Sequence, residues 1–348
     1  MNDFKNHRIR TRMAAAIAVF SCLALPLAAQ KANVTYLEGT AKIKSSAGSL
    51  RLADFGSTVT YGESVITGKD GLVEMSLPNG STIRVSEDSV FTYSETGTGS
   101  DSRPVLATLA GSVSYKLNKS VGRSPLIQTN SMVAGVRGTE FTVYAARDGS
   151  NLLVVTGGIV DVTAQGETVS LYKDEAVQVD PGQKPGEKYV WLGKELDFSD
   201  WNGGKNEEFL ADPVGGIKRV ATQLDGYAKE LAALKAPYEE ATATWEKAVE
   251  DYKALLAKTD DKDTLQKFRI ETLNPAQDAR ATLILNIRYY ALNYLSVRRY
   301  VLSNMYMEMK TRFPLSGTPA SDDFFRLHKD TLARYENAIV PELNPNDY

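Results

Sequence analysis

The chain has 348 residues, 40 of them lysine or arginine and 43 aspartate or glutamate, for a formal net charge of −3, with a single cysteine. Its length accommodates two domains of ordinary size, and 43% apolar with 24% charged residues is the balance of a folded protein, not a disordered one. The acidic balance argues against the basic footprint of a nucleic-acid binder, and one cysteine leaves no disulfide to staple the fold.

The first 29 residues read as a secretory signal peptide. Lys5, Arg8, Arg10 and Arg12 form a basic head, and an apolar run follows from Met13 to Ala29, broken only by Ser21 and Pro26 and closed by Ala28-Ala29. The rival reading is an uncleaved anchor. The run is slightly short for a span, and Pro26 near its end fits a cleavage region better. Val19-Phe20-Ser21-Cys22 partly resembles a lipoprotein processing box. Lipidation at Cys22 would tie the protein to a membrane, but the apolar run continues past the cysteine to Leu27. Without residues 1–29 the chain holds 36 basic and 42 acidic residues and no cysteine. It must then rely on packed cores.

Residues 30–180 read as β structure. Short alternating runs recur, among them Leu72–Leu77, Thr82–Val85 and Leu152–Val155. Asp70-Gly71, Asn79-Gly80 and Asp148-Gly149 punctuate them as turns. A weak Gly-x-apolar-x-apolar repeat begins at Gly39, Gly111 and Gly158, too irregular for a solenoid. A sandwich, a roll or a short β-helix would each satisfy the pattern. The run Ser131–Val143 is unusual because its apolar parity switches: Ala134 and Val136 are even, Phe141 and Val143 odd. A period of two switches parity only with an inserted residue, so the run predicts one strand with a β-bulge at Gly138.

Residues 181–205, rich in proline and glycine and then aromatic, read as a linker. Trp191 and Trp201 are expected to pack one domain on the other. Residues 206–348 follow a helical period. Apolar residues spaced three and four apart run from Ile217 to Leu255, a seam about 57 Å long at ~1.5 Å per residue. Pro237 inside it should kink the helix or split it near Ala236. A second seam, Leu283 to Val301, opens with Asn274-Pro275 as an apparent cap and first turn. The polar stretch Thr259–Asp263 separates the two, which suggests an antiparallel hairpin or small bundle. Ser321-Asp322-Asp323 would cap a last helix reaching Ala338. The fold class is thus α+β in separate domains. Were the Ile217–Leu255 seam free, it would drive self-association; covered by Leu283–Val301, it would leave a monomer.

Catalytic chemistry finds little support. His7 leaves with the signal peptide, so His328 is the one histidine of the mature chain, far in sequence from any serine turn. Zinc ligands of the His/Cys kind and a catalytic thiol are both missing. Glu74, Glu87, Asp88 and Glu140 show no spacing that marks a pair, although carboxylate separation is a three-dimensional property and a hydrolase stays a third option. Asp260–Asp263 lacks the glycine and distal glutamate of a calcium loop. No glycine loop precedes a helix to cradle phosphate. The expectation is a non-enzymatic protein with no cofactor and no metal.

Three segments resemble the FecR domain, over roughly residues 35–180. They are Gly62–Gly68 followed by Gly71–Met75, Leu77–Val85, and Val136-Arg137-Gly138-Thr139-Glu140-Phe141 followed by Gly158–Val162. The resemblance implies a periplasmic module; in the best-known members it takes a signal from a TonB-dependent outer-membrane receptor and relays it through a membrane span to a cytoplasmic sigma-factor regulator. This chain departs from that plan, with no long cytoplasmic N-terminal region and an apolar run that looks cleavable. What carries over is an interaction, signalling or scaffold module with envelope proteins as partners. Arg137 and Glu140, the motif's charged pair, are candidate partner contacts, or a pair on the outward side of the bulge. An alternative function is carbohydrate or peptidoglycan binding through Trp191 and Trp201.

Overall fold

The computed structural model describes residues 31–96, 103–119, 124–136, 138–193, 196–314 and 317–339. Residues 1–30, which include Cys22 and the stretch 1–29 read above as a signal peptide, lie outside the described residues, as does Arg137.

The strands are, in order, β1 (Ala32–Glu38), β2 (Ala41–Lys44), β3 (Leu50–Leu52), β4 (Thr58–Val59), β5 (Glu63–Thr67), β6 (Leu72–Ser76), β7 (Thr82–Val85), β8 (Val90–Thr96), β9 (Arg103–Lys116), β10 (Leu126–Gln128), β11 (Val133–Val136), β12 (Glu140–Ala145), β13 (Asn151–Gly157), β14 (Val160–Ala164), β15 (Glu167–Leu171), β16 (Glu175–Val179) and β17 (Tyr189–Val190). They form two ladders over one core. The first runs β4-β1-β6-β7-β9-β12-β13-β16-β17, antiparallel throughout. The second runs β3-β2-β5-β8-β9-β10-β11-β14-β15, with β9–β10 its one parallel pair among the described strands. Strand β9 belongs to both, bending at Gly111 with φ of 86°.

The chain crosses from one sheet to the other at sharp corners. Gly39, Gly68–Gly71, Ser86–Ser89 and Gly111 stack along one edge, tied by Gly68 N to Thr40 O at 2.8 Å and Asp88 N to Gly68 O at 3.0 Å. Beyond β9 the corners move to the opposite edge, because β12 runs antiparallel to β9 with Ala145 opposite Gly111 and Glu140 opposite Lys116. Gly138, Gly158 and Asp174 turn there, all at positive φ.

This corrects the expected bulge. β11 and β12 lie in opposite sheets, and Gly138, at φ of 62°, is the corner between them. Parity switches because the core lies on opposite sides of the chain before and after the crossing. Ala134, Val136, Phe141 and Val143 are accordingly all buried in one cluster. A register shift does occur nearby, between Glu140 and Phe141 against β13.

The helical region comprises α1 (Phe198–Ala211), α2 (Pro213–Lys258), α3 (Lys262–Phe268), a π turn (Arg269–Leu273), α4 (Asn274–Ser296), a second π turn (Val297–Leu302), α5 (Ser303–Arg312) and α6 (Pro319–Ile339). Helix α2 runs unbroken for 46 residues, so Pro237 does not split it. Pro237 and Ala233 are exposed, and the carbonyl that loses its donor can turn to water. Asn274-Pro275 does not begin a helix either, since Asn274 is itself helical. The preceding π turn widens the backbone where the proline ring would crowd the carbonyl of residue 271. The true start is Asp261, whose side chain accepts from Thr264 N at 3.1 Å. The cap of α6 is Thr318, not Ser321: Thr318 Oγ1 accepts from Ser321 N at 3.2 Å and Ser321 Oγ from Thr318 N at 3.3 Å.

The long seam is closed along half its length. Ile217, Val220, Leu224 and Leu231 are buried against Ile287–Val301 and α6. Farther out, among the described residues, the return helix alone covers the seam, and Tyr238, Trp245 and Tyr252 are half-buried. Arg280 lies over the rings of Trp245 and Tyr238, and Tyr252 stacks on Phe268. The base is a bundle and the distal part a two-helix arm.

Two predictions follow from these packings. Gly158→Ala should destabilise the protein by roughly 3 kcal/mol, because φ of 83° is strained for alanine and its Cβ would lie 2.7 Å from the Gly138 carbonyl oxygen. Gly138→Ala should cost only ~1 kcal/mol, since the nearest obstacle is the movable Lys119 side chain at 2.8 Å. Urea unfolding ranks the two; the reverse order would contradict the corner geometry. His328 is buried among Phe324 and Tyr306, with Nε2 donating to the Leu302 carbonyl at 3.0 Å. Burial holds its pKa below the usual imidazole value, while that hydrogen bond opposes the shift. The unfolded chain therefore binds the proton more readily, and His328 should lower stability as pH falls through about 6.5. Urea midpoints at pH 7 and pH 5 should draw apart less in His328→Gln than in the parent.

Candidate functional site

Two places concentrate features that packing alone does not require. One is the corner edge at Gly138 and Gly158. The other is the junction with the helices, at the opposite edge.

At the Gly138 edge, Thr139 is buried, Leu117 N donates to its carbonyl at 2.8 Å, and Thr156 Oγ1 donates to the Glu140 carbonyl at 3.0 Å. These bonds hold Glu140 at the start of β12 with its side chain exposed. Beside this corner, on the outer face of the second sheet, lies a depression of about 850 Å³. Gly135 forms its floor, opposite Leu126 on one side and Asp161 on the other, and no atom stands within 4 Å of where a Cβ would be. Ile159, 48% exposed, forms an apolar wall. Arg103 and Lys119 line it without a carboxylate at ion-pair distance among the described residues. Asp161 is engaged by Ser170 Oγ at 2.6 Å. Among the described residues the lining of the depression holds one carboxylate, Asp161, and no histidine.

The junction is polar and buried. Tyr227 Oη donates to the Asn130 carbonyl at 3.1 Å and accepts from Gln223 Nε2 at 2.8 Å. Gln128 Nε2 donates to Asn293 Oδ1, and Ser131 Oγ donates to the Gly149 carbonyl at 2.7 Å. Tyr289, beside Asn293, has its pKa pushed up to about 12, chiefly by burial. On the next hairpin tip, Asp148 accepts from Ser150 N and Oγ, both at 2.8 Å. Burial raises its pKa despite these bonds. Backbone joins the regions too: Asn202 accepts from Arg147 N at 2.9 Å.

The sequence-derived residues do not converge. Glu140 sits at the Gly138 edge, while Arg137 lies outside the described residues. Trp191 and Trp201 are half-buried on the outer face of the first sheet with Tyr144, Leu152, Val154 and Ala176. Tyr144 is four residues from Glu140 along β12, roughly 13 Å in an extended strand. Sequence reading missed the junction residues, because Thr129, Asn130 and Ser131 carry only the composition of an exposed turn.

The family model described as FecR protein matches residues 63–160. None of the curated proteins matches the chain significantly. Two crystal structures of a candidate anti-sigma factor from Parabacteroides distasonis ATCC 8503, at 1.65 Å and 2.50 Å resolution, are similar at 18% identity with a TM-score of 0.33. Each likeness covers 37% of this chain and 59% of that one, so the chain spans less than two thirds of the length of these neighbours. The motif segments, the corner that they build and the matched family model agree: the β region of this chain carries a FecR domain.

Proposed function

We propose that this protein is an exported, non-enzymatic FecR-domain protein that serves as an interaction or signalling module in the bacterial cell envelope, with another envelope protein as its partner. The FecR match over residues 63–160 carries this reading. The signal-peptide pattern of residues 1–29 supports export and a periplasmic location. Among the described residues, no helix is long and apolar enough to cross a membrane. The depression over Gly135 offers the partner an apolar wall and two cations, Arg103 and Lys119, that have no ion-pair partner among the described residues. The junction supplies a route by which binding on the β region could be felt by the helical region. The domain limits in this reading are 30–180 for the β unit and 206–348 for the helical unit.

A photo-crosslinking amino acid at position 159, in a tagged chain expressed in the native host, tests the reading. The tagged chain should fractionate with the periplasm, and it should form an adduct with an envelope protein that Arg103→Glu with Lys119→Glu reduces at least tenfold. A cytoplasmic chain, or an adduct indifferent to both charge reversals, would contradict it.

The glycan reading has one observation in its favour: Tyr189, Val190 and Leu192 are exposed beside Trp191. Peptidoglycan fragments should shift tryptophan emission if that surface binds them. The primary reading expects no change, because Trp191 and Trp201 are committed to packing.

A further inference from the structure

A second concavity, of about 360 Å³, lies where the helical region meets the β region. Ile66, Val90 and Ala110 on the outer face of the second sheet pack with Tyr300 of the second π turn to form its apolar floor. Its walls carry Arg147, on the tip between β12 and β13, and Arg299, on the π turn. Lys44, at the end of β2, lies close enough to Arg299 to feel its charge.

The charge arrangement is unusual for an acidic protein. Neither arginine has a carboxylate at ion-pair distance among the described residues, and neither does Lys44. Asp88 lines the groove but forms no ion pair among the described residues. Burial, and then the nearby Arg299, hold the Lys44 pKa below the ordinary lysine value. Like charges gathered at a contact between two structural units oppose that contact. Elsewhere the same surface pairs its arginines readily, as Arg298 does with Glu336 at 2.6 Å and Arg334 with Asp225 at 2.6 Å. Arg147 and Arg299 both line the groove, and Lys44 lies beside Arg299.

We propose that this groove binds a small polyanion carrying phosphate or carboxylate groups, held by Arg147, Arg299 and Lys44. Arg147 belongs to the β region and Arg299 to the helical region, so the bound anion bridges the two. It converts mutual repulsion into shared attraction and tightens the junction. This site is distinct from the depression over Gly135, and the inference does not rest on the function proposed above.

The test uses the full mature chain and follows thermal unfolding at constant ionic strength. Inorganic phosphate and citrate are titrated separately against sodium chloride. The midpoint should rise and then saturate at millimolar anion, by roughly 4 °C at occupancies well above half. Phosphate acting alone, or citrate alone, assigns the anion class. Arg299→Gln keeps most of the side-chain stem while removing the charge. Without anion it should melt within about 1 °C of the parent or above it, because a like charge is gone. With anion its response should vanish. Arg147→Gln serves as a second variant should the first fail to fold. A rise that never saturates, or one that both variants keep, would be general salt exclusion from the surface and would overturn the proposal. So would no response to either anion.

Discussion

The architecture depends on one constraint: a single chain must supply both sheets and keep its apolar side chains on the shared core at every crossing. A strand that passes between facing sheets reverses the side on which the core lies. The crossing residue must therefore take up a sharp turn with little steric cost, and glycine at positive φ does so at Gly39, Gly111, Gly138 and Gly158. Strand β9 shows the same solution within one continuous strand. Its two halves place Leu106 and Tyr115 in the same core, with Thr108 Oγ1 and Tyr115 Oη 2.7 Å apart across the bend. Tyr115 in turn stacks on Phe141, at 5.0 Å between ring centroids, so the central strand and the motif strand are locked together.

Corners on one edge before β9 and on the other edge after it leave hairpin tips beside the first set of corners. The helical region is seated on those tips. Its contacts there are polar bonds to backbone as much as apolar packing: Tyr227 to Asn130, and Arg147 to Asn202 and Asn304. Such bonds are directional, so they specify one seating of the bundle where an apolar contact would tolerate several. The opposite edge carries the FecR motif corner, and among the described residues no helix packs on it.

Much of this was legible in the amino-acid order. The change of period near residue 200 separates the two regions, and the glycine starts at 39, 111 and 158 each mark a sheet crossing. The parity switch at Gly138 marks a break in the face, but one dimension cannot tell an inserted residue from a change of sheet. Neither Pro237 nor Asn274-Pro275 ends a helix. Local rules place helix ends at such residues, while packing on a long antiparallel partner keeps the helix running, with a π turn before Asn274-Pro275 to absorb the misfit there. The junction was illegible: Asn130, Tyr227 and Asn293 are far apart in sequence, and nothing in their neighbours marks them as buried. The Arg147–Arg299 groove was illegible for the same reason.

The helical region is seated on one edge of the sandwich, and among the described residues no helix covers the other. Amide hydrogen exchange of the intact protein tests this directly. The tips Thr129–Met132 and Ala146–Ser150 should exchange slowly, at rates near those of the β12 core, while the amides of Asn79 and Gly80, at the tip on the opposite edge, should exchange within seconds. Equal, rapid exchange at all three tips would contradict the seating and everything inferred from it.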